Sequence, residues 1–340
     1  MLAEIEALLA QVRTEAGRDA LAAASAPAPA PPSPVPALGP RALRTGVGAM
    51  DAAGLGPVDA SRPVVELAGA PGSGKTQTLY RICATLAAAP PGGHVLFVDA
   101  AGTADARALA RSMRSSAADE ALRRVHLFAP PTTAALVATL AMLPRYAAER
   151  AIAPAALLID GLGCNHWIDR KESSHLRLQI KRATPWFRQQ QLLADTVHAA
   201  CAALRCPAFA ANTLLLRDRA TSTDTAAVGD RTIAVGDQRY RDHMVARWRS
   251  IVARTFVLDS AVSADHPGLT RVTFTVEPAA AAAAAAGTAT AAGAPQREAR
   301  AAFVGPLGLV DRPEHHHCAA QSPPFPSDRS LISRGGEGSA

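Results

Sequence analysis

Apolar positions along the chain follow more than one rhythm. Leu2, Ile5, Leu9 and Val12 recur at helical spacing, which predicts a short amphipathic helix over residues 1–24. Residues 25–42 are dominated by Pro and Ala. Proline has no amide N–H to give and its ring clashes with the preceding turn, so this stretch reads as a semi-rigid linker. From Val64 onward short, continuous apolar runs predict strands at 64–68, 94–99, 125–128, 155–160 and within 207–216. Helical segments fall between them, the first from about Thr76 to Ala88. Strands alternating with helices predict an α/β core with a mostly parallel central sheet covered by helices on both faces.

After Leu216 the alternation stops. Residues 217–237 are rich in Thr, Asp, Gly and Arg and read as a mobile loop. Strand character returns at 251–258, at 271–276, where Val272, Phe274 and Val276 alternate, and at 302–304. The core is therefore expected over 43–312, with an alanine-rich, solvent-exposed insertion at about 278–295 and a disordered tail over 313–340.

Composition narrows the picture only a little. Hydrophobic residues are 49% of the 340, but aromatics are 4% and much of the rest is alanine, so the usable core is smaller than the percentage implies. A net charge of +6 permits contact with an acidic polymer without requiring it. No apolar run has the length of a membrane span, and the acidic start, with Glu4 and Glu6, is unlike a secretory signal. Cys83, Cys164, Cys201, Cys206 and Cys318 are irregularly spaced, which suggests neither a disulfide framework nor a zinc site and points to a reducing compartment.

The chemistry is concentrated between the first predicted strand and its helix. Gly69, Ala70, Pro71, Gly72, Ser73, Gly74, Lys75 and Thr76 match G-x-x-x-x-G-K-[ST] at every fixed position. Glycines let backbone N–H groups turn onto phosphates, and the helix N-terminus behind them adds partial positive charge. Lys75 is then placed to reach the β- and γ-phosphates of a nucleoside triphosphate, ATP above all, and the Thr76 hydroxyl to ligate Mg²⁺. By average residue frequencies the pattern arises by accident in on the order of one chain per hundred, and its place between strand and helix separates it from chance. Leu157-Leu158-Ile159-Asp160 supplies the apolar strand ending in an acid that supports the metal.

Around this loop the residues resemble a known family. Leu43-Arg44-Thr45-Gly46, Met50-Asp51, Gly54-Leu55-Gly56, Val65-Glu66-Leu67-Ala68-Gly69 and Gly74-Lys75-Thr76-Gln77 together resemble the ATPase core of the eukaryotic RecA-like recombinases, over 43–311. A narrower resemblance, to the X-ray-repair cross-complementing type of recombinase paralogue, is carried by Leu79-Tyr80, Trp167-Ile168-Asp169-Arg170, Arg247-Trp248, Arg254, and Phe303-Val304-Gly305 with Gly308. The resemblance implies a RecA-like P-loop core that binds ATP and Mg²⁺, with Gln77 beside the phosphates. It also implies an accessory role in homologous-recombination repair in the nucleus, assembly with other recombinase paralogues, and binding to single-stranded or branched DNA.

Two departures limit the chemistry. Recombinases carry an activating Glu after the second strand, where this chain has Ala101 in Asp99-Ala100-Ala101-Gly102-Thr103. Loss of a general base costs typically 10²- to 10⁴-fold, and Asp105, on the next helix, is a poor substitute. The family's Asn-Gln at the fifth strand is here Asn212-Thr213. Weak or no intrinsic hydrolysis is expected. By position the family's first DNA loop corresponds to Arg170, Lys171, Arg177, Lys181, Arg182 and Arg188, and its second to a segment with Arg217, Arg219, Arg231, Arg239 and Arg241. A solvated helix face and a charge-balanced loop, given Asp218, Asp224, Asp230 and Asp237, explain the same residues as well. Neither segment shows interleaved aromatics, and Trp167, Trp186 and Trp248 read as packing or interface residues. Arg254 reads as a surface salt-bridge partner, and His315-His316-His317-Cys318 as incidental. The rival readings are a self-sufficient DNA-dependent ATPase, a nucleotide-independent scaffold and a small-molecule P-loop kinase.

Overall fold

The computed structural model describes residues 43–56, 58–89, 93–113, 118–169, 171, 185–216, 231–235, 238–263, 270–277, 299–305 and 308–310. The expected N-terminal helix (1–24), linker (25–42), alanine-rich insertion (278–295) and tail (313–340) lie outside them. So do Arg170, Lys181, Arg182, Arg217 and Arg219.

A nine-stranded sheet organises the chain. Six strands run parallel: β1 (Val64–Gly69), β2 (His94–Asp99), β3 (Val125–Phe128), β4 (Pro154–Leu162), β5 (Ala208–Thr213) and β9 (Val252–Val262). The antiparallel strands β10 (Thr270–Glu277), β11 (Ala299–Gly305) and β12 (Gly308–Val310) extend it, giving the order β12-β11-β10-β9-β1-β5-β4-β2-β3. The strand that leads into the glycine-rich loop is thus separated from the strand that carries Asp160 by β5 alone. This is the expected α/β class, with a mostly parallel central sheet covered by helices on both faces.

Both faces are covered, and that explains why the inner strands read as continuous apolar runs rather than alternating ones. On one face lie α1 (Gly48–Ala53), α2 (Lys75–Ala88), α3 (Ala106–Ser112) and α4 (Ala118–Leu122). There Leu79, Ile82 and Leu86 of α2 pack on Val65, Leu67, Phe97, Leu158, Phe209 and Phe256. On the other face lie α5 (Thr133–Glu149), α6 (Pro185–Leu204) and α7 (Ala246–Ile251), whose Leu140, Leu143, Val197 and Trp248 meet Leu96, Val98, Leu157 and Ile159. Local signals set the helix ends. Thr132 caps α5 by accepting from the Ala135 N–H, α6 starts on Pro185, where a missing N–H costs nothing, and α2 stops just before Pro90. Among the described residues no helix is long and apolar enough to cross a membrane. The four described cysteines are free thiols.

One expectation is overturned. Residues 217–237 do not form an unbroken loop: β7 (Arg231–Val235) and β8 (Gln238–Asp242) pair as an antiparallel hairpin, and β8 pairs with β6 (Leu215–Leu216). Thr232, Ile233 and Val235 have the β-branching that suits strands, but the surrounding Asp, Gly and Arg masked it. The small sheet is planted on the large one through Leu214, Ile233 and Tyr240, which cluster with Ala68 of β1 and Val257 of β9.

Beneath the loop strand one acid is buried. Glu66, 1% exposed, accepts from Asn212 Nδ2 (3.0 Å), Trp248 Nε1 (2.8 Å) and Thr255 Oγ1 (2.9 Å), tying β1 to β5, α7 and β9. Three donors on one carboxylate offset its desolvation, and removing it leaves the buried Trp248 and Thr255 donors unpaired, while Asn212 keeps Asp242. Glu66→Ala is expected to lower the unfolding free energy by about 2–6 kcal/mol, measured by urea denaturation followed by circular dichroism. A loss below about 1 kcal/mol contradicts this role.

Candidate nucleotide-binding site

At the C-terminal edge of the parallel strands β1 ends at Gly69, the chain turns through Ala70–Gly74, and α2 begins at Lys75. The turn demands its glycines. A Cβ on Gly69 meets the Leu258 carbonyl oxygen and Ser73 Oγ, both at 2.5 Å, so only a hydrogen fits where β9 passes. Gly74, the residue before α2, holds φ +89°, a left-handed conformation that glycine adopts without strain.

Lys75 lies inside this turn. Its Nζ donates to the carbonyl oxygens of Gly69 (2.9 Å) and Ala70 (2.7 Å), and reaches Ser73 Oγ at 3.4 Å. Burial pushes the amine down to about 8, opposed by the Asp160 carboxylate. Thr76, the next residue, donates its hydroxyl to Asp160. Burial raises the Asp160 carboxyl above the usual carboxylate range, Thr76 and Lys75 pull it back, and Asp99 adds to the rise. The Asp160 Oδ2 is buried without a hydrogen-bond partner. An orphaned carboxylate oxygen beside a threonine hydroxyl suits a hydrated divalent cation, since Mg²⁺ keeps most of its water and takes few protein ligands. Thr76 and Asp160 thus fit Mg²⁺, and the Gly69–Thr76 turn fits the phosphates it would bridge. Gln77 sits half-buried on the first turn of α2, one residue past the hydroxyl.

At the position where the sequence resemblance expects a base, the site has a methyl group. Ala101 lies exposed in the turn after β2, folded against the end of β4 and the residues just after it. Ala100 N–H donates to the Asp160 carbonyl (2.9 Å), Cys164 Sγ approaches the Ala100 carbonyl oxygen (3.0 Å), and Gly161 lies so close to Ala101 that a Cβ there meets Ala101 Cβ at 2.6 Å. Neighbouring carboxylates are occupied. Asp99 accepts from the Thr103 and Ala104 amides. Asp105 caps α3 by accepting from Arg107 N–H and pairs with Arg111. At the end of β5, Asn212 turns down into the Glu66 network and also donates to Asp242 (3.2 Å), while the Leu214 N–H donates to the Gly69 carbonyl. The phosphate turn is thereby tied to the segment leading into the small sheet.

The structure brings Gly69 through Thr76 and Asp160 into one site. The proposed DNA contacts are on separate elements: Lys171 is exposed in the helical segment after β4, and Arg231 opens β7. Arg254 is corrected. Rather than facing a carboxylate, its guanidinium donates to the Ala53 and Gly54 carbonyls and so clips β9 to the end of α1. Sequence reasoning missed Glu66, Asp242, His166 and His243, all buried. Glu66 carried a signal, as the one acid in a strand otherwise apolar or glycine. The other three gave none, because their burial depends on long-range packing.

No family model and no curated protein sequence matches the chain. Among solved structures, one titled as the crystal structure of the RadB recombinase aligns at 15% identity over 79% of this chain and 99% of its own, with a TM-score of 0.48. A likeness that low carries no functional weight.

Lys75→Ala is expected to weaken ATP binding about 10- to 100-fold, the value of a charged hydrogen bond to phosphate, with melting behaviour retained. Protonated Lys75 is the binding form, so the affinity of the native chain is level below pH 8 and falls as the pH rises through the free lysine's value of about 8. Fluorescent-nucleotide titration from pH 6.5 to 9.5 checks both. A flat profile together with an unaffected alanine variant overturns this assignment.

Proposed function

We propose that this protein is an ATP-binding RecA-like subunit of recombinational DNA repair that holds its nucleotide with little or no hydrolysis. One observation carries the reading: an intact phosphate and metal constellation, Lys75, Thr76 and Asp160, stands next to Ala101 where a catalytic acid is required. Bound Mg²⁺ supplies charge neutralisation between the phosphates. Lys75 would exchange its loop carbonyls for phosphate oxygens, the first turn of α2 would lie against them, and Thr76 with Asp160 would hold the metal. Nothing at 101 holds or deprotonates an attacking water.

The finer parts of the reading rest on the sequence resemblance to recombinase paralogues. They are an accessory subunit of the X-ray-repair cross-complementing type, assembled with other RecA-like paralogues in the nucleus and bound to single-stranded or branched DNA. The small sheet lends support. Its strands bracket residues 217–230 and rest through Ile233 and Tyr240 on the strand leading into the phosphate turn, a route by which nucleotide occupancy reaches that segment.

Purified alone, the chain is expected to turn over ATP about 10²- to 10⁴-fold more slowly than an active recombinase, and to recover other P-loop paralogues in fixed proportion when captured from its own cells. Turnover equal to an active recombinase, or capture as a lone self-assembling species, rules the accessory reading out in favour of an independent ATPase.

A further inference from the structure

At the other end of the strands from the phosphate turn, three side chains fasten the rim of the sheet to a helix. His94 opens β2, and His126 lies in β3, the four-residue strand that ends the sheet. Leu96 stands opposite His126, so His94, two residues before it, projects on the same face as His126. The His94 Nδ1 and His126 Nε2 face each other at 3.0 Å. The other nitrogen of His126, Nδ1, lies 2.8 Å from the hydroxyl of Tyr146 in the last turn of α5. Phe128 meets the same tyrosine ring edge-on at 5.2 Å. One hydrogen-bonded chain thus joins β2, β3 and α5, and all three of its members are half-buried.

β3 depends on this chain more than an inner strand would. Among the described residues it pairs with β2 alone, and Leu127 on its opposite face is 52% exposed. A bond between two imidazoles needs one nitrogen carrying a proton and one bare. With a single proton between the facing nitrogens, the bond holds. With two, no acceptor is left and two cations confront each other. The charges around the pair sharpen this. Arg150, at the end of α5, holds its guanidinium 5.1 Å from the centre of the Tyr146 ring. The acids nearest in sequence are engaged elsewhere, Glu149 with Arg145 and Glu120 with Arg124. Burial, the His94 ring and the Arg150 charge accordingly hold the His126 imidazole below its ordinary value of 6.5.

We propose that His94, His126 and Tyr146 form an acid-released clasp on the edge of the sheet. It is closed while the facing nitrogens share one proton and open once both are protonated, which loosens β3 from β2 and from α5. Because folded His126 titrates below its unfolded value, the clasp is complete above about pH 6.5 and is lost as the pH falls through the lower folded value. The device stands apart from the phosphate site and does not depend on the nucleotide reading.

Hydrogen exchange of the full chain tests the clasp, followed by mass spectrometry at about pH 7.5 and about pH 5.5 and corrected for the intrinsic pH dependence of exchange. The β3 amides are expected to lose about 10-fold in protection between the two, and those of β1 and β5 less than about twofold. Tyr146→Phe, which removes only a hydroxyl, is expected to lower β3 protection about 5-fold at the higher pH. His126→Phe keeps a ring in place without titratable nitrogens, and its β3 protection is expected to be low and equal at both pH values. A loss in β3 no greater than in β1 and β5 overturns the clasp, since it reports only general loosening by acid. So does a His126→Phe chain that keeps the native pH response, or a His126 imidazole that titrates by NMR at or above its ordinary value of 6.5.

Discussion

The Lys75 ammonium is enclosed by the turn that begins its own helix, resting on the Gly69 and Ala70 carbonyl oxygens. A buried cation on two carbonyls is only partly compensated, because carbonyls carry partial charge and burial still works against the proton. The fall of its titration to about 8 records that deficit. A phosphate group removes it. The local architecture holds this strained arrangement in place: β9 presses so near Gly69 that no side chain fits, Gly74 bends left-handed, and Asp160 waits across β5 with one oxygen unused.

Under the turn a second polar layer keeps the strands in register. Glu66 collects donors from β5, α7 and β9, and Asn212 passes the contact on to Asp242 at the end of β8. The network is not fully satisfied, because Asn212 Oδ1 is buried without a hydrogen-bond partner. It lies where the phosphate turn, the large sheet and the small sheet converge. Asn212 sits in register with Ala68 of β1, and Tyr240 clusters with Ala68 and Ala70, so the phosphate turn and the small sheet are in direct contact.

Much of this was legible beforehand for a physical reason. The inner strands are buried on both faces, so their apolar runs are continuous, and 94–99 matches β2 at both ends; 125–128 matches the edge strand β3 as well, although it is only partly buried. The phosphate turn was legible because glycine and lysine are needed there one by one. What escaped depended on distance along the chain. Ile233 and Tyr240 are core residues only because Leu214 and Val257 meet them, and the Asp- and Gly-rich surroundings read as loop. Arg254 looked like a surface cation because nothing local shows that the Ala53 and Gly54 carbonyls, some two hundred residues earlier, take its guanidinium. Trp167 reads from sequence as a packing or interface residue, and its 58% exposure, which tells against packing, is visible only in the fold.

On the proposed reading, binding rests on Lys75, Thr76 and Asp160, and the group that would activate water is missing at Ala101. One measurement addresses both. The chain is incubated with ATP and Mg²⁺, freed of unbound nucleotide by gel filtration, denatured, and the released nucleotide identified by chromatography. Intact ATP, close to one per chain and lost in Lys75→Ala, is the predicted result. Recovery of ADP would show that a catalytic base exists elsewhere in the site, and recovery of no nucleotide would show that the turn no longer binds phosphate.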